Sequence, residues 1–296
     1  MLICFFIVLI ILYLSYPHVA FIIRHPLLCI KWAFTDVYNY FKFKQYNNCP
    51  FYGVILAFTA FNNMAFGCGK TLSAVKTCND ISKRYNNKPV WDAERKDWDV
   101  QHVFFCSNVE LKGVDNYIPF TSKSQFVEID KFNLSKNDIL IFVLDECGIV
   151  FNSREFKTNI SADFLTNLLQ VRHNKVGFIL TAQRFSMIDK VLRECTSKVV
   201  ACEKWFRIFI LRTYNAYDLE NADNPSLVKA LSTECYLATN KLFGSYNTNF
   251  NIGKLKERLE NHDFMDTKEI LASRGDDGNI LRVNKYNRKF KKRFQK

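Results

Sequence analysis

Gly53-Val54-Ile55-Leu56-Ala57-Phe58 and Gly67-Cys68-Gly69-Lys70-Thr71 lie close together in this 296-residue chain. The first stretch is apolar and predicts a strand. The second predicts a glycine-rich turn with a Lys-Thr pair opening a helix at Leu72. Such a turn cradles phosphate. Glycines let backbone N–H groups face inward onto phosphate oxygens, and the helix from Leu72 turns its positive N-terminal end to the same anion. Lys70 would reach the β- and γ-phosphates of a nucleotide, and the Thr71 hydroxyl would ligate Mg2+. The full phosphate-loop pattern asks for a glycine five residues before Gly69, and that place is Met64.

A second run, Ile139-Leu140-Ile141-Phe142-Val143-Leu144, ends in Asp145-Glu146. Six consecutive apolar residues predict a strand buried on both faces, as in a parallel sheet. Carboxylates at its C-terminal end sit where open α/β sheets bind ligands. Asp145 would hold the Mg2+ shell and Glu146 would polarise an attacking water. Mg2+ keeps several waters, so one carboxylate, Thr71 and the phosphates suffice as ligands.

A third run, Val176-Gly177-Phe178-Ile179-Leu180-Thr181-Ala182, ends in Gln183. A polar side chain at that strand end, beside a γ-phosphate, can sense whether the phosphate is present. Upstream lies Arg172-His173. Arg172 reads either as an arginine finger that enters a neighbouring subunit's site or as a surface helix charge.

The order of these elements resembles the N-terminal ATPase domain of the zonular occludens toxin family, which includes the filamentous-phage assembly ATPases. The residues that carry the resemblance begin with Gly67-Cys68-Gly69-Lys70-Thr71 and Leu144-Asp145-Glu146, then Val150-Phe151 and Ser153-Arg154. They continue with Arg172-His173, Thr181-Ala182-Gln183, Ile188-Asp189 with Arg193, and Lys241-Leu242-Phe243-Gly244-Ser245-Tyr246. The resemblance spans roughly residues 50–250. More distantly the chain is similar to the FtsK/HerA division of P-loop motors, which also use a strand-end glutamine. It implies an ATP- and Mg2+-dependent enzyme, hexameric or otherwise oligomeric, that moves viral DNA alongside other virion-assembly proteins. The chain departs from the family at Met64 and in the place of its apolar segment, which comes before the ATPase domain rather than after it. No counterpart of the periplasmic domain that follows the span in that family is expected here, and its toxin-like activities are not expected to carry over.

Residues 1–23 contain no charged side chain. As a helix they would extend about 33 Å, enough to cross a hydrocarbon core, with Pro17 kinking it or ending its straight part. A cleaved signal peptide would want a basic start and a small-residue cleavage site. No Lys or Arg stands before Arg24 and no such site follows, so an uncleaved anchor is expected. Arg24, Lys31, Lys42 and Lys44 follow the span, which puts the body in the cytoplasm at the host inner membrane. Residues 26–44 mix apolar and basic side chains, and read equally as an amphipathic helix on the membrane surface or as a plain connecting helix.

Charged residues make up 24% of the chain and it holds 28 Phe, which excludes a disordered chain and favours a full core. The ten cysteines form no C-x-x-C pair, so a zinc ribbon is not expected and the thiols read as reduced. The last stretch, 285–296, carries seven of the basic residues behind the formal +12 and no acid. It reads as a nucleic-acid tail, an anionic-leaflet tail, or a solvated one.

The expected fold is therefore α/β: a P-loop NTPase with a mainly parallel central sheet flanked by helices, preceded by an N-terminal transmembrane helix. The expected division is an anchor over 1–24, a juxtamembrane amphipathic segment over 25–48, the ATPase domain over 49–250 and a helical, basic tail over 251–296. The remaining expectations are a helix over Leu72–Arg84, a polar connection over Tyr85–Asp99 and strands near His102–Cys106 and Phe126–Ile129. A helix near Met187–Glu194 should follow, then an antiparallel addition at the sheet edge from Lys198–Ala201 and Phe206–Arg212. The expected activity couples ATP hydrolysis to DNA export, assembly or packaging. The alternative is a non-catalytic, membrane-tethered nucleotide- or DNA-binding scaffold of virion assembly.

Overall fold

The computed structural model describes residues 16–61, 66–121, 123–151 and 162–246. The chain divides into two compact units between Tyr46 and Asn47. In the first, α1 (Pro17–Arg24) and α2 (Pro26–Lys42) each begin with proline in the first turn, and neither buries a residue. Proline suits that place because its missing N–H would have no intrahelical partner there. Among the described residues no helix is long and apolar enough to cross a membrane. Most of the expected anchor, residues 1–15, lies outside the described residues.

The second unit is built on strand β1 (Ile55–Ala60) and helix α3 (Lys70–Tyr85). A hairpin of β2 (Lys88–Asp92) and β3 (Asp97–Gln101) follows, then β4 (Val103–Ser107) and β5 (Tyr117–Pro119). Next come β6 (Ile139–Leu144), α4 (Cys147–Val150), α5 (Ala162–Leu169), β7 (Val176–Thr181) and α6 (Lys190–Cys195). The described part closes with β8 (Lys198–Trp205), β9 (Ile208–Asn215), α7 (Ala216–Asn221), β10 (Ser232–Leu237) and α8 (Asn240–Phe243). Eight strands form one sheet in the order β10-β9-β8-β1-β7-β6-β4-β5. From β8 through β5 every pairing is parallel, and β9 and β10 extend β8 antiparallel.

Burial follows the period of two along each strand. In β6, Leu140, Phe142 and Leu144 enter one core while Ile139, Ile141 and Val143 enter the other. Helix α3 covers the second face with Ala74, Val75, Cys78, Ile81 and Tyr85. The first face is filled by phenylalanines. Phe126 lies 4.7 Å from Phe142, 4.9 Å from Phe120 and 5.3 Å from Phe151, ring centre to ring centre. Tilted ring pairs at these spacings add to the area they bury.

Three expectations need correction. The β8 segment is no edge addition: it pairs parallel with β1 inside the sheet, and only β9 and β10 make the antiparallel edge. The polar connection expected over 85–99 is instead mostly the β2–β3 hairpin, which runs on to Gln101 and pairs Trp91 with Trp98 across its strands. The strand expected near 126–129 is two short 3-10 turns, Lys123–Phe126 and Ile129–Phe132. The strand of that region lies earlier, at Tyr117–Pro119.

Candidate active site

The C-terminal ends of β1, β6 and β7 meet at one place, and β7 lies between the other two. Gly69 is the N-cap of α3, at a φ of +84°. No side chain caps this helix, so the amides of its first turn stay open to an anion. Gly67 also has a positive φ, +71°. A Cβ on Gly69 would come within 2.1 Å of the Phe209 ring from β9. That position therefore needs glycine twice over, for its backbone angle and for the approach of Phe209. Met64 lies outside the described residues.

Lys70 is buried, and its Nζ donates to Gln183 Oε1 at 2.9 Å. Gln183 Nε2 in turn donates to Glu146 Oε1 at 3.1 Å. The phosphate-loop lysine, the strand-end glutamine and the second acid thus form one chain of hydrogen bonds across three elements. Thr71 Oγ1 donates to Asp145 Oδ1 at 2.7 Å. These two oxygens are hard donors side by side, as Mg2+ requires alongside waters and phosphate oxygens. Among the described residues no cluster of three His, Cys, Asp or Glu side chains could hold a metal alone. A divalent ion here would depend on the nucleotide for most of its shell.

The acids are held by residues that the motif does not contain. Thr181 Oγ1 donates to Asp145 Oδ1 at 2.6 Å and accepts from the Glu146 N–H at 2.8 Å. Glu146 sits at φ +47°, a costly angle for a side-chain-bearing residue, and the Thr181 bond helps hold it. Asn108 accepts from the Asp145 N–H at 2.8 Å and donates to the Asp145 carbonyl at 2.9 Å. Next to the pair, burial and then the Asp145 charge push the Cys147 thiol up to about 12.

Gly67, Gly69, Lys70, Thr71, Leu72, Glu146 and Gln183 line a cavity of about 300 Å³. Its remaining wall comes from Phe66, Lys204, Phe209, Phe243 and Tyr246. Burial first, and the Asp145 charge second, raise the Tyr246 phenol above its ordinary value. Leu72 packs its side chain with Phe209 and Ala238. Beneath the loop, Phe209 stacks on Tyr236 at 5.1 Å and 12°, and the Tyr236 hydroxyl lies 2.9 Å from Ser73 Oγ on α3.

The family model of the zonular occludens toxin matches residues 59–250, more than half of the chain. The chain belongs to the zonular occludens toxin family. With its phosphate loop and acid pair, this family member is a P-loop ATPase. Its structure is similar to that of the N-terminal domain of zonular occludens toxin from Neisseria meningitidis. The two are 19% identical with a TM-score of 0.43, over 66% of this chain and 100% of that one. It is also similar to the genome-packaging NTPase of Sulfolobus turreted icosahedral virus 2 in complex with ATP-gammaS. There the identity is 9% and the TM-score 0.39, over 63% and 98% of the two chains. EssC ATPases 2 and 3 from Geobacillus thermodenitrificans show 14% identity and a TM-score of 0.35, over 75% of this chain and 44% of that one. No curated protein sequence matches the chain.

The structure thus brings together Gly67, Cys68, Gly69, Lys70, Thr71, Leu72, Asp145, Glu146 and Gln183. It does not bring Arg172 to them. Arg172 precedes β7, against Gly53 at the other end of the sheet. The six residues of β7 put it about 20 Å away, at roughly 3.3 Å per residue. Arg193, the other arginine of the resemblance, is engaged elsewhere. It pairs with Glu220 at 2.9 Å and donates to the carbonyls of Ser186 and Ile188. Sequence reading gave no role in the site to Thr181, Asn108, Lys204 or Phe209. A signal existed for Thr181 alone: it stands two residues before Gln183, so strand alternation puts both on one face.

Proposed function

We propose that this ATPase is anchored in the host inner membrane and couples ATP hydrolysis to the export, assembly or packaging of viral DNA. The single observation that carries the chemistry is the chain Lys70–Gln183–Glu146 beside the Thr71–Asp145 pair. Lys70 would hold the β- and γ-phosphates, Thr71 and Asp145 would hold Mg2+, and Glu146 would accept a proton from the attacking water. Bound Mg2+ supplies charge neutralisation on the phosphates. Gln183 bonds Lys70 and Glu146 at once, so a γ-phosphate drawing on Lys70 would release Gln183 and free Glu146. The membrane location is supported by the uncharged residues 1–23 and the basic flank from Arg24 to Lys44. The coupling to viral DNA is supported by membership of the family and by the basic stretch 285–296, which lies outside the described residues.

The test is phosphate release by the purified chain in detergent or vesicles, with and without DNA. Lys70→Ala is expected to abolish nucleotide binding. Glu146→Gln is expected to keep binding and to lower turnover by a factor of about a hundred or more, as loss of a group acting on the water does. Unchanged turnover in Glu146→Gln would overturn the assignment, and absence of any DNA effect on turnover would separate the enzyme from the DNA-coupling reading.

A further inference from the structure

The turn between β8 and β9 is built against its own stability. Trp205 pairs with Ile208, so Phe206 and Arg207 make a two-residue hairpin loop. Phe206 sits at φ +52°. Hairpin loops of this length favour glycine, asparagine or aspartate at positive φ, and a bulky aromatic there is strained. The strain gains no buried area: Phe206 is 80% exposed and Trp205 beside it 64% exposed. The two rings meet edge to face at 5.5 Å. Cations flank them at Lys204 and Arg207, and no acid occurs from Lys204 through Asn215. A strained position that keeps an exposed ring points to use of that ring.

The loop is also tied to the nucleotide cavity. The pair directly below Trp205–Ile208 is Lys204–Phe209, and both residues line that cavity. Arg207 lies 5.7 Å over the Phe243 ring and donates to Asn240 at 2.8 Å, and Phe243 is a further wall of the cavity.

We propose that Trp205 and Phe206 are a stacking site for unpaired bases of single-stranded nucleic acid, with Arg207 at the same turn meeting its phosphates. This rests on the DNA-handling reading above and names the contact. Exposed aromatics among cations are what strand binding without sequence preference uses, because every base offers a ring face to stack on. Attachment to the nucleotide cavity at both Lys204–Phe209 and Arg207–Phe243 puts this contact where binding of nucleotide can move it.

The experiment is a titration of the full chain against fluorescent oligo-deoxythymidine and against an abasic strand of equal length. Trp205→Ala and Phe206→Gly are compared with the unaltered protein. Phe206→Gly relieves the backbone strain, so it folds even if Trp205→Ala does not. Each variant should bind oligo-deoxythymidine about tenfold more weakly, the change that loss of one stacked base brings, and the abasic strand equally well. Equal binding of oligo-deoxythymidine by all three proteins overturns the stacking site and leaves DNA handling standing. An unaltered protein that turns over ATP but binds neither strand overturns the DNA reading, and the stacking site with it. If the variants keep the oligonucleotide and lose anionic phosphatidylglycerol vesicles, the loop is a membrane element. If they lose it only together with a fall in oligomeric mass by sedimentation, the loop is a contact between copies. Either result overturns the proposal.

Discussion

Thr181 shows at the scale of one residue how the site depends on chemistry outside its motifs. Its hydroxyl donates to Asp145 and accepts from the Glu146 N–H, so it fixes one acid and the backbone of the other. Valine has the same shape without the hydroxyl. Thr181→Val leaves the Glu146 N–H without this acceptor and releases Asp145 from one of its two hydroxyl donors. Outer partners of this kind typically carry a factor of about 10–100 in activity. The expected outcome is a fall in turnover of that order with nucleotide affinity within a few-fold, measured by phosphate release and by equilibrium binding of a fluorescent nucleotide. Affinity lost as fully as in Lys70→Ala would show that Thr181 shapes the phosphate loop instead. The motif residues were legible because each stands in a local pattern: glycines before Lys70-Thr71, acids after an apolar run, a polar residue after another. Asn108 was not, since its partner is 37 residues away and nothing local marks it.

At the scale of elements, legibility follows burial. β1, β6 and β7 have nearly or fully buried runs, and their sequences are continuous apolar stretches. β10 reads Ser-Thr-Glu-Cys-Tyr-Leu and is almost wholly exposed, so no apolar period marks it. The direction of β8 was not legible either, because direction is decided by the neighbour it pairs with. The β9–β10 extension nevertheless holds up the nucleotide site. Phe209 is 1% exposed, packs against Leu72 and lies under Gly69. Phe209→Ala is expected to cost about 3–5 kcal/mol of stability, the usual range for a buried phenylalanine, and also to weaken nucleotide binding. Phe132→Ala, in the other core, should cost a similar amount with affinity kept in the folded fraction. Thermal melts with and without nucleotide separate the two. Equal nucleotide-induced rises in Tm for both variants would show that Phe209 does not support the loop.

At the scale of the whole molecule, the buried thiols and the far arginine each yield a test. Burial pushes Cys49 up to about 11 and Cys147 and Cys202 up to about 12, and raises Cys78 and Cys106 further. An unfolded thiol ionises near 8.5. Each of these cysteines therefore adds stability that is complete below that value and is lost as pH rises toward its folded value. The loss is about 1.4 kcal/mol per pH unit for each thiol. The Tm should be flat from neutral pH to about 8 and fall steeply above 9, and Cys78→Ala should lessen the slope by one proton. A slope that is unchanged in Cys78→Ala would assign the alkaline loss to other groups. Arg172 poses the question of assembly. It stands at the end of the sheet away from its own Lys70, so it can act on a γ-phosphate only from another subunit. Arg172→Ala then leaves a subunit with an intact site and no finger to lend, whereas Glu146→Gln leaves one with a finger and a dead site. Mixed in one assembly, each intact site that faces an intact finger should turn over, and activity should exceed that of either variant alone. Co-assembly is read first by pulling one tagged variant down with the other. Mixtures that co-assemble and stay as inactive as their parts would remove Arg172 from the reaction and leave it a surface charge beside Gly53.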